Sequence, residues 1–97
     1  MNAVNGWMAP MQRWIVGAAR DCDVIVADEY VSPKHCEVLL DTSGQYWVRD
    51  LGSTNGTRIQ YATGHTTAVR QNWSLFLPGY TLHIGRQRIP YRVRRTA

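Results

Sequence analysis

Nowhere in this chain do apolar residues keep helical spacing over three turns; they come in short runs that stop at Gly, Pro, Asn or Asp. A helix needs a continuous apolar stripe, whereas a strand needs only alternation over a handful of residues. Residues 14–17 read as a strand, 18–23 as a loop, 24–27 as a second short strand and 28–34 as a turn-rich stretch. Cys36 to Leu40 is strongly β-forming, and Asp41-Thr42-Ser43-Gly44 is a tight reversal. Residues 45–50 then return, with Tyr46 and Val48 on one face and Trp47 and Arg49 on the other. This hairpin is the clearest local pattern in the chain.

The second half is less regular. Residues 52–56 form a loop, because Asn55-Gly56 asks for positive φ or a sharp turn. Residues 57–61 read as a brief strand and 62–67 as a loop with Gly64 at its tip. Leu77-Pro78-Gly79 turns the chain into a strand at 80–84, and residues 85–87 turn it again into 88–94. Pro90 inside that last strand predicts an edge position or a bulge, since it cannot donate to a ladder. Many short strands with turn chemistry between them predict an all-β sandwich or barrel.

At 97 residues the chain has room for one core. No apolar run approaches the roughly 20 residues that cross a bilayer. Residues 1–10 lack the charged start and apolar stretch of a secretory signal, so the expectation is a cytoplasmic protein without membrane insertion. The formal net charge of +4 favours anionic partners without naming them, and Arg86, Arg88, Arg92, Arg94 and Arg95 crowd one end. Cys22 and Cys36 make no disulfide framework and read as reduced, buried thiols, a bridge between them being the lesser alternative. Adding His35 gives no zinc site, for want of a fourth ligand and any CxxC pair. No metal or cofactor is expected.

Recognition in a sandwich concentrates in loops at one end of a rigid frame. Three loops have unusual content: Gly17-Ala18-Ala19-Arg20-Asp21-Cys22-Asp23, Val31-Ser32-Pro33-Lys34-His35, and Asp50-Leu51-Gly52-Ser53-Thr54-Asn55-Gly56-Thr57. In this order and spacing they resemble the forkhead-associated (FHA) domain, and Leu77-Pro78-Gly79-Tyr80 with His83-Ile84-Gly85 resembles the family's closing hairpin. The resemblance covers about residues 13–94, leaving 1–12 as a short segment or first strand and 95–97 as a basic tail. It implies a β-sandwich of two mainly antiparallel sheets with functional loops at one end. It also implies a protein-interaction module, in signalling or assembly, that binds phosphothreonine peptides.

On that resemblance the phosphopeptide-binding residues are Ser32, Lys34, Thr54 and Asn55, with Gly17, His35, Asp50, Gly52, Ser53 and Gly56 supporting them. A phosphate carries almost two negative charges near neutral pH, so its binder needs converging donors. Ser32 offers a hydroxyl and Lys34 a mobile cation; the Asn55 amide both donates and accepts, as an extended main chain requires. Two positions depart from the family. The Arg that follows the first loop's Gly is replaced by Ala18, and the residue after Ser32 is Pro33, which has no donor. Losing a bidentate Arg removes about 2–4 kcal/mol from a phosphate contact. Arg20 is the candidate substitute. The alternative is a degenerate FHA domain that binds protein partners without phosphate.

An enzyme built on Ser32, His35 and Asp50 lacks a nucleophile elbow and an oxyanion-hole signature. The expectation is therefore no catalysis. Nucleic-acid binding would rest on the Arg cluster with Trp73, Tyr80 and Tyr91 as stacking surfaces, but no nucleic-acid motif occurs. A protein partner is expected and nucleic acid is not. Partner identity and oligomeric state are not written in the sequence.

Overall fold

The computed structural model describes residues 11–91. They form nine strands: β1 (Gln12–Gly17), β2 (Val24–Ile25), β3 (Cys36–Leu40), β4 (Tyr46–Asp50), β5 (Thr57–Gln60), β6 (Thr66–Val69), β7 (Ser74–Phe76), β8 (Thr81–Ile84) and β9 (Gln87–Pro90). One sheet has the order β2-β1-β3-β4-β7 and the other β6-β5-β8-β9; we call them sheets A and B. Every pairing is antiparallel except β1 with β2. The described residues contain no helix, and hence none long and apolar enough to cross a membrane.

Alternation explains how the sheets face each other. In β4, Tyr46, Val48 and Asp50 are buried while Trp47 and Arg49 lie on the outer face. In sheet B, Thr57, Ile59, Leu82 and Ile84 point inward. Val16, Cys36, Val48, Ile59, Phe76 and Ile84 belong to one core between the layers. On the outer face of sheet A, Glu37 is buried because Arg13 and Arg49 hold its carboxylate at 2.9 and 2.8 Å.

Several boundaries differ from those the sequence predicts. The first strand begins at Gln12, not at residue 14; of the stretch 1–12, expected as a short segment or first strand, residues 1–10 lie outside the described ones. The strand expected over 24–27 shrinks to two residues. The loop expected over 62–67 ends early because Thr66 opens β6, and β7 was not anticipated. Only Val69 of β6 is buried, so its strand character comes from backbone pairing with β5 and not from apolar alternation. The last strand, expected over 88–94, begins at Gln87 and runs to Pro90 as the edge strand β9. Residues 92–94 of that expectation and the basic tail at 95–97 lie outside the described residues.

The aromatic residues considered as stacking surfaces have protein partners. Tyr91 meets Tyr46 edge-on at 5.5 Å, Tyr80 meets Tyr61 at 4.9 Å, and Arg49 lies over Trp73.

Candidate functional site

The pairings Val16 with Cys36, Cys36 with Asp50, and Thr57 with Ile84 bring several strand ends to one pole. There the three unusual loops lie side by side. Gly17 lets the first two touch: a Cβ on it would sit 2.1 Å from the Pro33 carbonyl oxygen. Across this approach the Ala18 and Ala19 N–H groups donate to the carbonyls of Ser32 and Pro33 at 3.0 and 3.2 Å, and the Cys22 thiol donates to Pro33.

His35 locks the second loop to the third. It is fully buried, and both ring nitrogens are used. Nδ1 accepts from the Ser32 N–H at 3.0 Å, which leaves Nε2 protonated to donate to the Gly56 carbonyl at 2.9 Å. This accounts for the imidazole without any catalytic task.

Asp50 organises the third loop from beneath. Its Oδ2 accepts from the N–H groups of Gly52 and Ser53 at 2.9 Å each. Its Oδ1 accepts from the hydroxyls of Ser53 and Thr57. The Ser53 oxygen in turn accepts from the Gly56 N–H. Burial pushes the Asp50 carboxyl up, but the Ser53 and Thr57 hydroxyls and the two N–H donors outweigh it and hold it below its ordinary 3.8. A carboxylate with a lowered folded-state pKa stabilises fully above its unfolded value, and that stability is lost as pH falls through the folded value. The domain should therefore weaken progressively below about pH 4, Asp28 and Asp41 acting in the same direction. Asp50→Asn puts an NH2 against donors that need an acceptor and should cost about 2 kcal/mol in urea unfolding. An unchanged midpoint would refute this account of the loop.

Upon this frame the proposed binding residues lie on the outer rim, Ser32 half-buried and Arg20, Lys34, Thr54 and Asn55 exposed. Ser32 Oγ accepts from the Thr54 N–H at 3.0 Å, leaving its own proton free to point outward. Asn55 Nδ2 donates to the Tyr30 carbonyl at 2.9 Å. Ser32, Thr54 and Asn55 line a cavity of about 230 Å³ with Glu29, Tyr30, Val31 and Pro33. Neither Lys34 nor Arg20 lines it. Lys34 Nζ is 2.6 Å from Asp21 Oδ1, while Arg20 is exposed and its guanidinium has no partner among the described residues.

Sequence reasoning missed Asp28, Tyr30 and Arg86. The Asp28 carboxylate accepts from the N–H of Tyr30 at 2.8 Å and of Arg86 at 3.0 Å, tying the β2–β3 loop to the β8–β9 turn. The Tyr30 bond first, and burial only partly against it, leaves that carboxyl below its ordinary value. The Arg86 guanidinium lies 4.7 Å over the Tyr30 ring and 3.8 Å from Glu29. Asp28 followed by Tyr30 two residues on is a readable turn signal, but its partner 58 residues away is not. Cys22 and Cys36 are both free and buried. Burial, and then Asp50, push the Cys36 thiol up to about 12, so it stays protonated at neutral pH.

The family model for the FHA domain matches residues 14–72, more than half of the chain. The chain belongs to the FHA domain family. Among curated relatives of this FHA domain, the FHA domain-containing protein FhaB of Mycobacterium tuberculosis is 41% identical over 56 residues, which cover 58% of this chain and 35% of FhaB. The Mycolicibacterium smegmatis FhaB is 39% identical over the same length. The match thus spans about a third of these relatives. Among solved structures, Mycobacterium tuberculosis EmbR in complex with a low-affinity phosphopeptide superposes with a TM-score of 0.70 at 21% identity, over 88% of this chain and 21% of EmbR. The N-terminal FHA domain of S. cerevisiae Rad53p, in complex with a phosphothreonine peptide, gives 0.63 at 27% identity, over 76% of this chain and 56% of that one. The first of these likenesses speaks to the fold alone.

Proposed function

We propose that this FHA domain is a non-catalytic interaction module that binds phosphothreonine peptides of a partner protein in the cytoplasm, serving signalling or assembly. The observation that carries it is the convergence of Ser32, Thr54 and Asn55, from two loops, on one cavity. The Ser32 hydroxyl and the Thr54 side chain face the phosphate, Asn55 holds the peptide backbone, and Val31 and Pro33 offer apolar surface to the threonine methyl. Arg20, exposed and without a partner among the described residues, supplies the cation that Ala18 does not. Rad53p, which binds a phosphothreonine peptide, shares the fold.

The test is calorimetry of the best peptide from an oriented phosphothreonine library against its unphosphorylated twin. The phosphorylated peptide should bind at least about a hundredfold tighter, from two charge-assisted bonds. Equal affinities would overturn the proposal. Arg20→Ala should weaken phosphopeptide binding about tenfold, as the loss of one exposed charge-assisted contact would; unchanged affinity would remove Arg20 from the site. One observation favours the second reading, a phosphate-independent interface: the cavity lining includes Glu29 and contains no Lys or Arg. Equal affinity for the two peptides, both lost on Asn55→Ala, would establish that reading.

A further inference from the structure

The charges of this chain are segregated along its length. Every Asp and Glu lies at or before Asp50, whereas seven of the eleven Lys and Arg residues follow it. The fold turns this segregation into a difference between faces. None of the four strands of sheet B contains a carboxylate, nor do the turns that join β5 to β6 and β8 to β9.

Alternation decides which side chains of sheet B meet solvent. With Thr57, Ile59, Leu82 and Ile84 buried, β5 presents Arg58 and Gln60, β8 presents Thr81 and His83, and β9 presents Arg88. Register then aligns three of these in a row, since Arg58 pairs with His83 and His83 with Arg88. Adjacent strands are about 4.8 Å apart, so the row spans about 10 Å across the sheet. Arg58 donates to the Thr66 hydroxyl at 2.9 Å, and His83 Nε2 donates to the Gln60 side-chain oxygen at 3.0 Å. No carboxylate of the described residues forms an ion pair with Arg58 or Arg88. Cavities of about 400 and 360 Å³ flank His83; Arg58 lines the first, Arg88 the second, and Arg86 both. Burial first, then Arg88 and Arg58, hold the imidazole below its ordinary 6.5. Arg58 and Arg88, with no carboxylate partner among the described residues, leave the row net positive, and an anion laid across it gains from both guanidinium groups.

We infer that the outer face of sheet B docks an acidic polypeptide segment across Arg58, His83 and Arg88, a row none of whose residues lines the Ser32 cavity, although the larger cavity beside it shares Tyr30 and Asn55 with that one. Carboxylates at alternate positions of an extended segment lie about 7 Å apart, within reach of two guanidinium groups whose Cα atoms are about 10 Å apart. Nucleic acid is the poorer occupant. Nucleic-acid binders combine many phosphate contacts with aromatic stacking platforms. This row has three groups, no outward position of sheet B is aromatic, and the nearby Tyr30 ring is covered by Arg86.

The test uses the whole chain and a fluorescein-labelled peptide of alternating Glu and Ala, about ten residues long and thus longer than the row. It has no phosphorylatable residue. Anisotropy should report binding that weakens as salt rises. Arg58→Gln/Arg88→Gln should weaken it about tenfold, as two exposed charge contacts would. Ser32→Ala should leave it unchanged, which separates this face from the phosphopeptide cavity. Arg88→Glu alone, exposed on the edge strand, gives a second measure should the double variant fold poorly. Absence of binding, indifference to the Arg substitutions, or loss in Ser32→Ala would each overturn the inference. So would a labelled single-stranded oligonucleotide that bound the same row more tightly than the Glu peptide.

Discussion

Ser32→Ala is expected to abolish selection for phosphothreonine while leaving the domain folded. Two losses coincide at one oxygen. The hydroxyl proton, unused inside the protein because Oγ is an acceptor for the Thr54 N–H, is the donor available to a phosphate. A hydrogen bond to a charged group is worth about 1.5–3 kcal/mol. Its removal also frees the Thr54 N–H, so the β4–β5 loop loses one of its ties to the β2–β3 loop at the very rim that must be preorganised, the Asn55–Tyr30 bond remaining. Together these amount to about 3 kcal/mol, or roughly a hundredfold in affinity. The cost to folding is small, under about 1 kcal/mol, because Thr54 is exposed and its N–H can turn to water. Calorimetry with the phosphorylated library peptide, paired with urea unfolding, reads both quantities. A phosphopeptide affinity within about twofold of wild type would mean that Ser32 does no more than pin a loop.

What the sequence disclosed and what it withheld divide along a physical line. The β3–β4 hairpin was legible because Tyr46 and Val48 alternate with Trp47 and Arg49 over a half-buried strand, and residues 41–44 could only reverse the chain. The strands β6 and β7 were not, because Thr66, Thr67 and Ala68 carry no apolar alternation and a strand of three residues has no period to detect. The all-β class needed only the spacing of turns; the arrangement in two sheets came with the family resemblance. At the site, the residues that form the cavity wall came from one recognisable pair of loops, but their charge state did not. Lys34 is read as a phosphate cation on the family resemblance, and spacing gave no sign that its ammonium also meets Asp21, thirteen residues earlier. Likewise nothing in the local sequence marks Glu37 for burial, which follows from the arginine that β1 and β4 each set beside it. Local spacing announces turns and strand faces; it is silent on which charges the closed sandwich will neutralise.

Gly17→Ala is expected to cost the domain more than about 3 kcal/mol, the largest single-methyl effect in the molecule. Gly17 needs no left-handed backbone, since it is not among the glycines with positive φ. Its constraint is space. A Cβ there would lie 2.1 Å from the Pro33 carbonyl oxygen, 2.7 Å from its carbon and 2.9 Å from the Ser32 oxygen. These are backbone atoms, so no rotamer can relieve the clash. The Ala18 and Ala19 N–H groups are bonded to the same two carbonyls, and separating the loops would break both bonds. The β1 strand below cannot yield either, being paired with β2 on one side and β3 on the other through Gly17 or its neighbour Val16. Urea unfolding should show a lowered midpoint with an unchanged slope. Ala18→Gly, one residue on and without that close approach, should cost only about 1 kcal/mol. Phosphopeptide binding should fall in Gly17→Ala even under conditions where the protein stays folded, because the Ser32 loop can no longer rest against β1. If Gly17→Ala unfolds at the wild-type midpoint, the two loops are not in contact and the rim has no fixed shape to present to a phosphate.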